Sequence, residues 1–323
     1  MEFFLLDFLG KPVWMWATFL GIVVTLLVFD LGVLHRDNHV IGVKESLLMS
    51  AGYIALGLLF GVWVWSELGP ELGMAYMTGF VVEKTLAMDN VFVIAMIFTY
   101  FAIPPQYQHR VLFWGILGVI LLRAIMIGLG ATLVTQFSWV LYIFAAFLIF
   151  TGIKMYMMAD KKFDVGANPL VSWMKRRLNV TDTHHGERFF VRQPDSAGNS
   201  ALFVTPLFLA LVMIEFADLI FAIDSVPAIF AITTDPYIVY TSNIFAILGL
   251  RALYFALAAM VDRFHYLKYA LSALLIFIGS KIFVADLAGL DKFPHTISLG
   301  ITFLILAAGV AYSLWMTRKS AHS

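Results

Sequence analysis

Two apolar stretches of the chain carry the same acidic signature. Glu83-Lys84-Thr85-Leu86-Ala87-Met88-Asp89-Asn90-Val91 and Asp218-Leu219-Ile220-Phe221-Ala222-Ile223-Asp224-Ser225-Val226 each place a carboxylate, five residues, then Asp, Asn or Ser, and Val. Glu215 adds an acid three residues before Asp218. An ionised side chain at membrane depth costs roughly 2.5–3.5 kcal/mol on insertion scales. Five such acids therefore carry a penalty on the order of 12–17 kcal/mol unless they are paired, protonated or metal-bound. That load, placed twice in one pattern, points to a cation site built from Glu83, Asp89, Glu215, Asp218 and Asp224. Asn90 is positioned to add an amide oxygen. Ser225 either adds a hydroxyl ligand or satisfies the backbone.

The ligand chemistry is restricted further by what is missing. The chain has no cysteine, which excludes thiolate metal sites, iron–sulfur clusters and disulfides. Its histidines, His35, His39, His109, His184, His185, His265, His295 and His322, all fall in expected loops or at span ends. A buried site must then use oxygen, which suits Mg2+, Ca2+ or Mn2+. Met88 and Met213 lie near the acids, and a thioether would favour Mn2+, although methionine in an apolar helix is usually filler.

Geometry complicates a single site. Residues six apart on a regular helix differ by about 240° and roughly 9 Å. Glu83 and Asp89 address one cation only if the helix unwinds or if one acid serves the entry path, and Pro227 supports such unwinding beside Asp224, because it cannot donate to the Ile223 carbonyl. The competing reading is that the acids simply pair with Lys84, Arg123 and Arg251. Five acids against three bases leave an excess of about two negative charges for a divalent cation or protons to neutralise.

The elements that must position these groups are membrane spans. Of 323 residues, 61% are hydrophobic and 13% charged, with a mean hydropathy of +0.89. Soluble domains hold about 45–50% apolar and about 25% charged residues, so the chain is read as a multi-pass membrane protein in a lipid bilayer. Zero net charge suggests no nucleic-acid partner. The start of the chain lacks the basic region of a secretory signal, and residues 14–34 are read as a retained span.

Apolar runs near 12–34, 46–66, 72–101, 110–134, 137–158, 201–232, 238–261, 266–286 and 295–317 predict nine helices and an all-α membrane protein. The basic loop 159–200 is assigned to the cytoplasm, which puts the N-terminus outside and the C-terminus inside. Within it, residues 169–178 read equally as a membrane-surface helix or a solvated linker with one short helix.

The acidic motif belongs to a longer repeat. Leu117-Gly118-Val119-Ile120-Leu121-Leu122-Arg123 is echoed by Ile247-Leu248-Gly249-Leu250-Arg251, and Phe150-Thr151-Gly152-Ile153-Lys154 by Phe277-Ile278-Gly279-Ser280-Lys281. The chain then divides into spans one and two (12–66), repeat one (72–158), the loop, repeat two (201–286) and a final span (295–317), all forming one transmembrane domain. Three-span units must insert with opposite orientation, the inverted three-plus-three arrangement on which midplane transport sites are built. Lys154 and Lys281, near opposite span ends, are expected to snorkel to the interface.

Glu83-Lys84-x-x-Ala87-x-Asp89-Asn90-Val91-Phe92-Val93, with Glu215-x-x-Asp218-x-x-Phe221-Ala222-x-Asp224-Ser225-x-Pro227-Ala228, resembles the TerC family and within it the Alx branch. Thr233-Thr234-Asp235-Pro236, Asn243-x-Phe245-Ala246-Ile247-Leu248-Gly249-Leu250-Arg251 and Thr181-Asp182-Thr183 extend the resemblance over nearly the whole chain. It implies a bacterial inner-membrane protein of the LysE-like superfamily that exports Mn2+, with Ca2+ or Mg2+ as weaker alternatives. An assembly or metallation factor without transport activity is the alternative class. A non-enzymatic role is expected, since the Gly-x-Gly-Asp pattern of an intramembrane aspartyl protease is absent.

Overall fold

A computed structural model of the protein describes residues 6–32, 42–158, 164–181, 183, 185–194, 200–258, 266–290 and 293–320; the side chains of residues 30–32, 89, 258 and 318–320 lie outside that description. The described chain is dominated by helices. A two-residue ribbon, β1 (Asp7–Phe8) with β2 (Lys11–Pro12), precedes α1 (Val13–Gly32), α2 (Val43–Leu68), α3 (Pro70–Tyr100), α4 (Pro105–Gln136) and α5 (Val140–Met157). Next come α6 (Pro169–Arg177), a hairpin of β3 (Phe190–Pro194) and β4 (Ser200–Val204), and α7 (Pro206–Phe230). The chain ends with α8 (Pro236–Leu248), α9 (Leu250–Ala258), α10 (Leu267–Leu287) and α11 (His295–Ser320).

Proline at the first helical turn starts α3, α4, α6, α7 and α8, where its missing N–H costs no helical bond. Asp235 caps α8 by accepting from the amides of Tyr237 and Ile238 at 3.0 and 3.2 Å.

Six of these helices are long and apolar enough to cross a membrane, or seven if the α8–α9 pair, bent by 41°, counts as one span. α1 is apolar over the shorter stretch Val13–Phe29, its side chains beyond that lying outside the described residues, and α3 crowds Glu83, Lys84 and Asp89 into its middle. The expected count of nine is reached only if α1 and α3 cross as well. Bare apolar side chains cover the outside, including Leu48, Leu59, Leu129 and Leu304, as a bilayer-facing surface requires.

Two expected boundaries change. The run 201–232 does not begin as helix. Ser200–Val204 pairs with Phe190–Pro194 in an antiparallel hairpin, and the helix starts only at Pro206. The run 238–261 is interrupted at Gly249, and its last residues fall outside the described set. The amphipathic segment near 169–178 forms α6, whose Val171 and Met174 are buried in an apolar cluster with Leu207 and Ala210 of α7. Val171 and Met174 are thus satisfied within the protein while Trp173 stays 56% exposed, and Lys175 lies over the Tyr100 ring at 5.2 Å.

The interior has two apolar clusters, one toward each end of the bundle. The first joins Phe60, Tyr76, Phe80, Phe230, Tyr237 and Phe245, and the second Ile97, Phe98, Leu112, Leu207, Met213 and Tyr254. The helices α3, α4, α7 and the α8–α9 pair run through both. Their buried polar residues, Glu83, Lys84, Asn90, Arg123 and Asp218, stand at the levels where these helices pass from one cluster to the other.

Candidate functional site

Arg123 is the centre of this polar layer. It lies midway along α4, its side chain only 1% exposed, and its donors reach helices on three sides. Nε and one terminal nitrogen grip the two oxygens of Asp218 at 3.2 and 2.9 Å, the bidentate fork that a planar guanidinium makes with a carboxylate. The other terminal nitrogen pairs with Glu83 and also donates to Ser225 Oγ at 3.0 Å and Asn243 Oδ1 at 3.5 Å. Asn90 Nδ2 donates to Asp218 Oδ1 at 3.4 Å. One cation therefore ties α3, α4, α7 and α8 together. Charges taken out of water cost several kcal/mol each, and only such near-complete pairing repays it.

Of the seven residues singled out by sequence, four meet here: Glu83, Asn90, Asp218 and Ser225. The role of Asn90 in this arrangement is that of a donor to Asp218 rather than an oxygen aimed at a cation. Glu215, one turn before Asp218, is half-buried; its carboxylate lies where a side chain on Gly118 would stand, and its Oε2 has no hydrogen-bond partner among the described residues. Asp224 is elsewhere. It is half-buried on another face of α7, with Thr151 and Lys154 of α5 as neighbours. Asp89 lies in α3, but its side chain is outside the described residues.

The expected unwinding at Pro227 does not occur, because α7 remains one helix from Pro206 to Phe230. Asp218 and Asp224 consequently keep the angular separation that a spacing of six imposes. The excess of acid is also not pooled. Within the layer Glu83, Glu215 and Asp218 are matched in number by Lys84, Arg123 and Arg251, Asp89 aside. Among the described residues no group of three or more histidines or acids is arranged to hold a metal ion.

Lys84 does not pair with its neighbour Glu83. Its ammonium donates to the carbonyl oxygen of Ala246 at 2.9 Å. Lys281, expected at the interface, is 95% buried and donates to Ser298 Oγ at 3.3 Å; Lys154 is exposed. Asn243 is the site residue that the acidic motif did not point to. It is fully buried in α8, and the polar run Thr241-Ser242-Asn243 inside an apolar stretch was the available signal. A small cavity of about 20 Å3 adjoins Asp218 and Asn90, lined also by Leu250, Arg251 and Phe221.

The family model for "Integral membrane protein TerC family" matches residues 68–321, a span that contains every one of these side chains. The chain belongs to the TerC family. It is 50% identical over 299 residues to an "Uncharacterized membrane protein" of Rickettsia bellii, covering 93% of this chain and 96% of that one. It is 45% identical over 319 residues to the "Putative membrane-bound redox modulator Alx" of Salmonella typhi, covering 96% of both chains. The protein of the same name from Escherichia coli K12 is 44% identical over 319 residues, with 96% and 97% covered. These matches place the chain near the Alx branch of TerC proteins. No solved structure matches it.

Proposed function

We propose that this TerC protein is a secondary transporter that exports a divalent cation, Mn2+ before Ca2+ or Mg2+, from the cytoplasm of a bacterial cell. The observation that carries this reading is that Glu83 and Asp218, from the two matching acidic segments, converge on one buried cation between two apolar clusters. Arg123 then serves as a tethered counter-cation. It neutralises the carboxylates while no cargo is bound, and cargo binding requires it to withdraw. Glu83, Asp218, Glu215 and Asp89 are the proposed first ligands, with Asn90, Ser225 and Asp224 on the path of the ion.

Nine spans and an inverted repeat belong to this reading. In it α3, α4 and α5 correspond to α7, the α8–α9 pair and α10. Reciprocal packing supports that correspondence: α4 lies on α7 as α3 lies on α8, and α5 lies on α10. A Cβ on Gly152 would meet the Ser272 carbonyl oxygen at 2.9 Å, and one on Gly279 the Ala145 carbonyl oxygen at 2.6 Å. Each matching glycine thus lets the other helix approach. The N-terminus is assigned outside and the C-terminus inside, from the basic residues of the central loop.

Carboxylates must lose their protons to hold a metal, so protons compete with the cargo and metal/proton exchange follows. The redox role in the name of the Alx relatives has no thiol chemistry to rest on here, because the chain has no cysteine. Radiolabelled Mn2+ flux in liposomes containing only this protein tests the proposal. Accumulation above protein-free liposomes is expected. No flux in correctly folded protein would favour the assembly-factor class instead.

A further inference from the structure

The break between α8 and α9 has a donor from outside its own span. In an unbroken helix the carbonyl of Ala246 would accept from the amide of Leu250. At the break the amide of Gly249 turns back to Ile247, and α9 restarts with Leu253 donating to Gly249 at 3.0 Å. The last carbonyls of a helix need outside partners and carry its negative dipole end. Lys84 of α3 supplies one, its ammonium 2.9 Å from the Ala246 oxygen.

This contact is built rather than incidental. Lys84 is 93% buried, and Ala246 is its sole hydrogen-bond partner among the described residues. A side chain at Gly249 would stand 2.8 Å from the Lys84 ammonium and 2.9 Å from Tyr53 Cβ, so the position of the break and the reach of the lysine depend on each other. Lys84 is also the residue after Glu83, which is held by Arg123. The residues directly beyond the break, Leu250 and Arg251, line the small cavity beside Asp218 and Asn90.

We infer that the α8–α9 break is a hinge and that Lys84 is the positioning residue that latches it, so that release of the ammonium from Ala246 lets α9 swing and opens the cavity beside Asp218. The inference rests on the transport reading for its purpose, but not for its test. Glu83 and Lys84 move together on α3, which couples occupancy of the carboxylates to the latch.

The cysteine-free chain allows a direct measurement. Leu250→Cys places a thiol on the wall of the cavity, and Leu148→Cys places a control in the packed interface of α5 with α10. Labelling by a small maleimide is followed in purified full-length protein without metal. Lys84→Met should speed labelling at position 250 by at least about tenfold while leaving position 148 unchanged. Gly249→Ala, which crowds the latch with Lys84 intact, should do the same. Unchanged labelling at 250 in both backgrounds, or an equal rise at 148, would overturn the latch. Because no Mn2+ is used, absent Mn2+ flux would remove the transport reading and leave this result standing.

Discussion

Asp218 and Asp224 are the two aspartates of one repeated motif on one helix, yet they live in different surroundings. Asp218 is buried, gripped by Nε and one terminal nitrogen of Arg123 and touched by Asn90. Asp224 is half-buried near Thr151 and Lys154, with exposed Ile223 beside it. Six residues along a continuous helix turn a side chain through about 240°, so a motif that looks like one pooled site sends its two aspartates to different surroundings. Asp218 joins α7 to α4 through Arg123, whereas Asp224 faces Thr151 and Lys154 of α5. In the proposed transport cycle, an acid that already holds an arginine must give it up before it can hold a metal.

The sharpest way to break this comparison is to remove the shared partner. Arg123→Gln leaves Glu83 and Asp218 buried without their cation, and loss of one member of a buried ion pair costs about 3–5 kcal/mol. Thermal unfolding in detergent should show it as the largest destabilisation among the polar-layer variants. Asp218→Asn comes next. It removes charge-assisted hydrogen bonds worth about 1.5–3 kcal/mol while Glu83 still neutralises the arginine. Gly279→Ala tests the α5–α10 crossing outside the layer, where overpacking costs about 1–3 kcal/mol. Asp224→Asn should be mildest for stability, within about 1.5 kcal/mol, the worth of an ordinary hydrogen bond. An Asp224→Asn protein as unstable as Asp218→Asn would mean that the two aspartates are equivalent after all.

Much of this arrangement was legible in the sequence. Hydropathy located each long apolar helix, the acidic repeat marked the polar layer, and Arg123 was visible as a partner. What could not be read was direction. Periodicity says that residues six apart diverge, but not which of the pair faces the arginine, since that depends on how α7 is rotated against α4. Pro227 suggested an unwound α7, whereas the break occurs at Gly249 in the next span. There the close approach of Lys84 and Tyr53 leaves no room for a Cβ. Lys84 looked like a partner for adjacent Glu83. Side chains of neighbouring helical residues point about 100° apart, and only the fold reveals that Ala246 awaits the lysine. The start of α7 was misjudged because Ser200–Val204 is as apolar as a span, yet its partner strand lies in the polar loop.

The central claim is that divalent cations occupy the carboxylates that Arg123 otherwise neutralises. Its most direct test is Mn2+ binding to the purified protein by electron paramagnetic resonance, measured from mildly acidic to mildly alkaline pH. The wild type should bind Mn2+ saturably and more tightly as pH rises, because protons leave the ligands. The Glu83→Gln/Asp218→Asn double variant should bind at least about tenfold more weakly at every pH. Wild-type affinity in that double variant, or a flat pH response in the wild type, would contradict the account.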